Sequence, residues 1–428
     1  MRRTAVIIAA GAMVLLAGCN GDDKPGSASG GKTSTAPVPP ASVQLSLADG
    51  STDVSPAVPL QISVTGGTLD QVTVVDGAGQ HVDGSIAPAS EAAPAAASSS
   101  ASASPASSPT TSASSSATSP SAAATEIWTP DDRLDYGTKY TITATAFNSA
   151  HKAAKATSTF TTITPDSTST PSIGPLDGTT VGVGMPIRVY FDDPIGDDQR
   201  ADVERHLKVT SSKPTDGVWN WMNGSEVHFR PSTYWPAGTD VTLDADLYGV
   251  DLGDGVWGEK NREISFHVGT KHVSVAYAAA HTLAVYDSNR LVHTFPMSAG
   301  SSKNPTRNGD HVVLQSYRKI VMDSSTFGLA VDAPGGYRAD VEYAVRISNN
   351  GEFVHAAPWS VAQQGHSNVS HGCINLSTAN AQWFYGWAQP GDIVTVKNSV
   401  GPTLSSVDGD IYDWAIPWDQ WKAGSALN

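Results

Sequence analysis

Short alternating runs dominate the chain. From Val43, "SVQLSLADG", "LQISVTGG" and "QVTVVDGAGQ" set apolar against polar residues in turn, then break at Gly, Asp or Pro. A two-residue period between turn residues predicts half-buried β-strands. Residues 87–124 have no period and almost no large apolar side chain, so they cannot offset their ordering entropy and read as a disordered insert. Strands resume with "EIWTP" and "KYTITATAF". The pattern then recurs. Pro130 and Gly137-Thr138 have the same spacing as Pro231 and Gly238-Thr239, and an alternating strand follows each. A unit of roughly 100 residues, repeated once, predicts two tandem immunoglobulin-like β-sandwiches. A solenoid would repeat every ~20–50 residues.

From Lys271 the texture changes. "HVSVAYAAAHTLAVYDSNRLVHTFPMSAG" predicts a β-hairpin around "DSNR". "HVVLQSYRKIVMDS", "YAVRISNNGEFVHAAP" and "DIVTVKNS" predict further strands, and "STANAQWFYGWA" a helix capped by Ser377 or Thr378. The expected architecture is therefore mainly β: sandwiches over 43–165 and 166–270, then a β-rich domain over 271–400 with one or two helices. The segment 401–428 carries Tyr412, Trp414, Trp418 and Trp421 and is expected to pack back on that last domain. A solvent-facing sugar-binding strip is the alternative.

Charge removes one class of partner. The chain has 41 Asp+Glu against 26 Lys+Arg, a net −15, and no basic cluster, which argues against nucleic acid. The N-terminus adds a location. Arg2 and Arg3 precede an apolar run from Ala5 to Ala17, which is too short for the ~20 residues of a membrane span and reads as an export signal over 1–18. "LAGC", Leu16 to Cys19, resembles a bacterial lipobox. That resemblance implies cleavage before Cys19, lipidation of Cys19, and an anchor on the outer face of the cytoplasmic membrane. A Gly/Ser/Pro-rich tether over 19–42 would then reach toward the cell wall. An ordinary secreted protein with an incidental Cys19 is the alternative.

The chain has only two cysteines, so a lipidated Cys19 leaves Cys373 without a disulfide partner. An odd thiol in an exported protein points to chemistry. "SHGC", Ser370 to Cys373, sits in a turn before the predicted helix, where the backbone N–H groups of Gly372 and Cys373 are placed to hold an oxyanion. The thiol needs a base. His281, His355, His366 and His371 are candidates. His355 ends the alternating strand "EFVH", a more rigid position than the loop around His366, and His371 lies in the turn itself. Zinc is the rival reading, but H-x4-H-x-C over His366, His371 and Cys373 matches no common zinc spacing. No metal or other cofactor is expected.

The segment "VHAAPWSVAQQGHSNVSHGCINLSTANAQWFYGW" resembles the active-site region of L,D-transpeptidases, bacterial cell-wall enzymes with a YkuD-type catalytic domain. The likeness runs from about Lys271 to the C-terminus and includes "VMDSSTFG", "GGYRADVEYAVRIS" and "IPWDQWKAG". It implies Cys373 as nucleophile and His355 as general base. His371, Gly372, Ser370 and Asn375 would shape the pocket and oxyanion hole, with a hydroxyl from Tyr337, and Met322 and Trp359 would lie at the substrate cleft. For Met322 and Trp359 a plain core role stays open. Relatives often carry a serine after the catalytic His; here Ala356 stands there, which leaves a backbone carbonyl to orient the imidazole. The implied reaction forms 3→3 cross-links between peptidoglycan stem peptides through a thioester, with a tetrapeptide donor and a diamino-acid acceptor. Carbapenem β-lactams are the implied inhibitors. The alternatives are an L,D-carboxypeptidase that hydrolyses the same thioester, and a non-catalytic wall-binding lipoprotein. A sortase-like enzyme would want an arginine soon after the Cys, whereas the first cation here is Lys397.

Overall fold

The structure, a computed structural model, describes residues 38–57, 59–89, 124–327, 329–334, 336–409 and 411–428. The predicted export signal, Cys19, nearly all of the tether, and most of the Ser/Ala/Pro insert lie outside these residues.

The first sandwich pairs a sheet of Ser42–Leu45, Leu60–Thr65, Ala124–Pro130 and Gly84–Pro88 with a five-stranded sheet. Strands Gly84–Pro88 and Ala124–Pro130 are antiparallel neighbours, so the two ends of the insert are tied together. Trp128, Ile142 and Phe160 fill the core, because alternation along each strand turns one row of apolar side chains inward. The second sandwich, with strands between Ser167 and Val268, repeats the plan. Gly137 and Gly238 adopt φ of 61° and 68°, and each donates its N–H to the end of its own domain's last strand, at Ile163 and Val268. The repeated Gly-Thr therefore marks the same left-handed turn, which favours glycine. A helix at Asp197–Arg205, absent from the sequence prediction, caps this domain. Its sequence has no apolar stripe, but Asp197 and Asp198 at its start and Arg205 at its end complement the helix dipole.

The third domain has two sheets. One is ordered Arg290–Pro296, Thr282–Asp287, His272–Tyr277, Ile393–Lys397 and Gly309–Val312; the other Gln315–Asp323, Arg338–Arg346, Phe353–Ala356 and Ile374–Leu376. The expected hairpin around "DSNR" forms, with Ser288 and Asn289 at φ of 49° and 69°, but a third strand, His272–Tyr277, precedes it. The run "HVVLQSYRKIVMDS" forms strands as expected and divides between the two sheets. Helix Thr378–Trp387 closes one face, with Ser377 Oγ accepting the Asn380 N–H at 3.3 Å. Its Phe384 packs with Val345, Ile374 and Val394 in the shared core.

The aromatic tail departs from expectation. Ile411 does pack on the third domain, against Val312 and Ile393, and Trp414 packs at the edge of the same cluster. Beyond it the chain crosses to the second sandwich. The Arg230 guanidinium lies 4.7, 5.2 and 4.5 Å from the rings of Trp414, Trp418 and Trp421, and Trp421 Nε1 donates to Val218 O. His228, fully buried, bonds Asp413 of the tail at 2.8 Å and Glu226 at 2.6 Å. The second sandwich offers a buried cationic surface, and aromatic faces and a carboxylate satisfy it better than more apolar core would. The rings are thus spent on an internal strap. Glycine permits the close approach beside it: a Cβ on Gly182 would sit 2.2 Å from Asp392 N.

Candidate active site

Parallel pairing builds the site. Strand Phe353–Ala356 runs beside Ile374–Leu376 with Val354 opposite Ile374 and His355 opposite Asn375. Cys373 immediately precedes this ladder, so the His355 and Cys373 side chains leave the sheet on the same face. Both border a cavity of about 320 Å³, together with Met322, Tyr337, Trp359, Ser370, His371 and Asn375. Seven of the residues singled out from sequence therefore meet Cys373 at one place. Gly372 supplies the turn.

His355 is buried, and its Nδ1 donates to Ala356 O at 2.9 Å. This fixes the tautomer and leaves Nε2 as the proton acceptor. Burial lowers the imidazole to about 4, against the opposing Ala356 carbonyl. Cys373 is 6% exposed and donates its thiol proton to Gly351 O at 3.6 Å. Burial pushes the thiol up to about 12; the Phe353 amide works against this and Glu352 adds to it. The resting pair is neutral thiol and neutral imidazole.

The turn is held from three directions. Gly372 has φ of +128°, a conformation open to glycine, and Thr306 Oγ1 donates to its carbonyl at 2.6 Å. Ser370 Oγ donates to Cys373 O at 2.5 Å and accepts the Gly372 N–H at 3.1 Å. That second bond corrects one expectation: the Gly372 N–H is already committed and does not point at a substrate oxygen. Among the described residues no acceptor takes the Cys373 N–H, which stays available for an oxyanion. Asn375 is buried and donates to Ser360 Oγ at 3.1 Å, forming the cavity floor.

The rim differs in character. His371 is exposed and lies 4.9 Å from the Tyr337 ring, centre to centre. Burial raises the Tyr337 phenol to about 12, and the nearby Cys373 adds to the effect. Met322 is buried in an apolar cluster with Phe353 and Cys373, so it is both core and wall. Trp359 is 60% exposed with its ring 6.1 Å from that of His355. His366 is exposed on its loop, and His281 bonds Asn368; neither lines the cavity.

Two supporting residues carried no usable sequence signal. Thr306 is a buried anchor in a loop far from the motif. Glu352 lies beside the turn glycine: a Cβ on Gly372 would sit 3.5 Å from its Cγ. It is buried, with one oxygen accepting the Arg307 N–H at 2.9 Å and the other 3.7 Å from His311 Nδ1. Burial lifts its carboxyl to about 8.

A buried thiol and an oriented imidazole thus share one cavity on a two-sheet domain that follows tandem sandwiches. Residues 270–396 match the L,D-transpeptidase catalytic domain family, and residues 107–251 match a bacterial Ig domain family. L,D-transpeptidase 2 of Mycobacterium tuberculosis is 38% identical over 381 residues, 89% of this chain and 84% of its own. L,D-transpeptidase 5 of the same species is 37% identical, over 91% of this chain and 78% of its own. A solved L,D-transpeptidase in complex with imipenem is 34% identical, with a TM-score of 0.47 over 55% of this chain and 100% of its own. The chain belongs to the L,D-transpeptidase family and is a transpeptidase enzyme.

Proposed function

We propose that the protein forms 3→3 cross-links in peptidoglycan through a thioester on Cys373. The observation that carries this reading is the Nδ1–H of His355 bound to Ala356 O, which leaves Nε2 as a base in the cavity that holds Cys373. The sulfur attacks the carbonyl carbon of the third stem residue while its proton passes to His355 Nε2. The Cys373 N–H takes the developing oxyanion. The C–N bond to the terminal D-Ala breaks, and the amine leaves with the proton from His355. The side-chain amine of a second stem then attacks the thioester and returns a proton through His355 to the departing sulfur. Burial of both groups keeps water scarce, which favours the amine over hydrolysis.

Incubating the chain from residue 20 onward with tetrapeptide stems tests this by mass spectrometry. Cross-linked dimers are expected, and none from Cys373→Ala. Tripeptide alone would assign hydrolysis, and turnover surviving in Cys373→Ala would remove the thioester. Carbapenems are proposed to acylate the same sulfur, read as a mass gain of one inhibitor on wild type and none on Cys373→Ala. Cys19 is proposed to carry lipid and hold the enzyme on the outer face of the cytoplasmic membrane. A Cys19→Ala chain released into the medium supports this; one still membrane-bound overturns it.

A further inference from the structure

A chain of cavities leads away from Cys373. The active-site cavity shares Met322 and Tyr337 with a second cavity of about 220 Å³, which also reaches Gly351, the acceptor of the Cys373 thiol. That cavity shares Arg346 and Asn349 with a third, also about 220 Å³, in the cleft between domains. Met185 and Arg188 of the second sandwich face Leu314, Gln315 and Ile411 there. The three cavities read as one groove, with Arg346 in the wall between its outer parts.

Arg346 is placed as a receptor for an anion. It ends strand Arg338–Arg346 opposite Phe353, and its guanidinium lies 4.8 Å from the centre of that ring. The aromatic face fixes the plane of the guanidinium without neutralising its charge. Among the described residues no carboxylate pairs with it, and its Nε is buried with no hydrogen-bond partner. The Nε is packed out of reach, but the side chain as a whole is only partly buried and lines both outer cavities, which leaves its Nη donors to a ligand in the groove. A carboxylate matches the guanidinium fork in shape and charge. In a chain of net charge −15, such a positive spot is also where an anionic substrate finds least repulsion.

We propose that Arg346 binds a free carboxylate of a peptide stem lying in the groove between Cys373 and the second sandwich. This rests on the reading of stem peptides as substrates, and it gives the second sandwich a part in shaping the substrate site.

Direct binding separates the two readings. Full-length Cys373→Ala and Cys373→Ala/Arg346→Gln are titrated with a stem tetrapeptide and with the same peptide with every carboxylate amidated. The expected result is about a tenfold weaker Kd for the carboxylate peptide on loss of Arg346, in line with one charge-assisted hydrogen-bond pair. The amidated peptide should bind both proteins with the same weak affinity. Equal affinity of the carboxylate peptide for both proteins, or an equal loss for both peptides, overturns the proposal. Arg346→Lys controls for folding and should recover part of the affinity. Wild-type turnover to dimer tests the cross-linking reading separately. In that assay, amidating donor and acceptor one at a time assigns the carboxylate: a slower thioester step in Arg346→Gln marks the donor, and a lower ratio of dimer to tripeptide marks the acceptor.

Discussion

His355 is oriented by its own neighbour: Nδ1 donates to the backbone carbonyl of Ala356 at 2.9 Å. A residue's side chain is not needed for this, so a hydroxyl at position 356 adds little. Ala356→Ser should keep kcat/KM within about threefold, whereas His355→Gln should cut it by about 10³-fold, the scale of lost general-base catalysis. Steady-state assays with stem tetrapeptide check both. A large effect of Ala356→Ser would mean that the carbonyl does not set the ring.

The neutral ground state predicts an unusual pH response. With the thiol near 12 and the imidazole near 4, the thiolate is scarce at neutral pH and rises tenfold with each pH unit. Alkylation of Cys373 by iodoacetamide should therefore accelerate steadily from pH 6 to pH 10. A preformed thiolate–imidazolium pair would instead give a flat rate across that range.

Glu352 ties stability to pH. Its carboxyl ionises near 4.5 in the unfolded chain but near 8 when folded. Between these values the unfolded state releases the proton first, so stability falls as pH rises from about 4.5 to about 8, then levels. Glu352→Gln removes that slope. Its melting temperature should exceed wild type by a few degrees at pH 8.5 and match it at pH 4.5, as calorimetry would show. An equal shift at both values would point to packing instead.

The strap responds in the neutral-to-alkaline range. Burial alone would keep His228 neutral, but Asp413 and Glu226 override it and raise the imidazole to about 9 from 6.5. A raised folded value means that this stabilisation is full below 6.5 and is lost as pH climbs through 9. Asp413→Asn should lower thermal stability at pH 6 by an amount that shrinks by pH 10. Protease cleavage within 412–428 should increase in the same variant at pH 6. An effect independent of pH would remove the charged pair from the account.

Local pattern determined much of this protein. Alternation marked the strands, Gly-Thr spacing marked the repeated sandwich, Ser377 or Thr378 marked the helix start, and Ser370 to Cys373 with His355 marked residues that the fold gathers at one place. These features work over a few residues, where propensity and spacing act directly. Tertiary structure decided the rest. The split of "HVVLQSYRKIVMDS" between two sheets depends on partners distant in sequence. Ser370 took the Gly372 N–H through a turn geometry that spacing does not state. Glu352 is buried although nothing in its local pattern marks it; Trp414 packs against Val312 and Ile393 of the third domain as expected, yet with Trp418 and Trp421 it also encloses Arg230 of the second sandwich. Burial of a charge depends on what the whole fold brings to it, and a one-dimensional pattern holds no record of that.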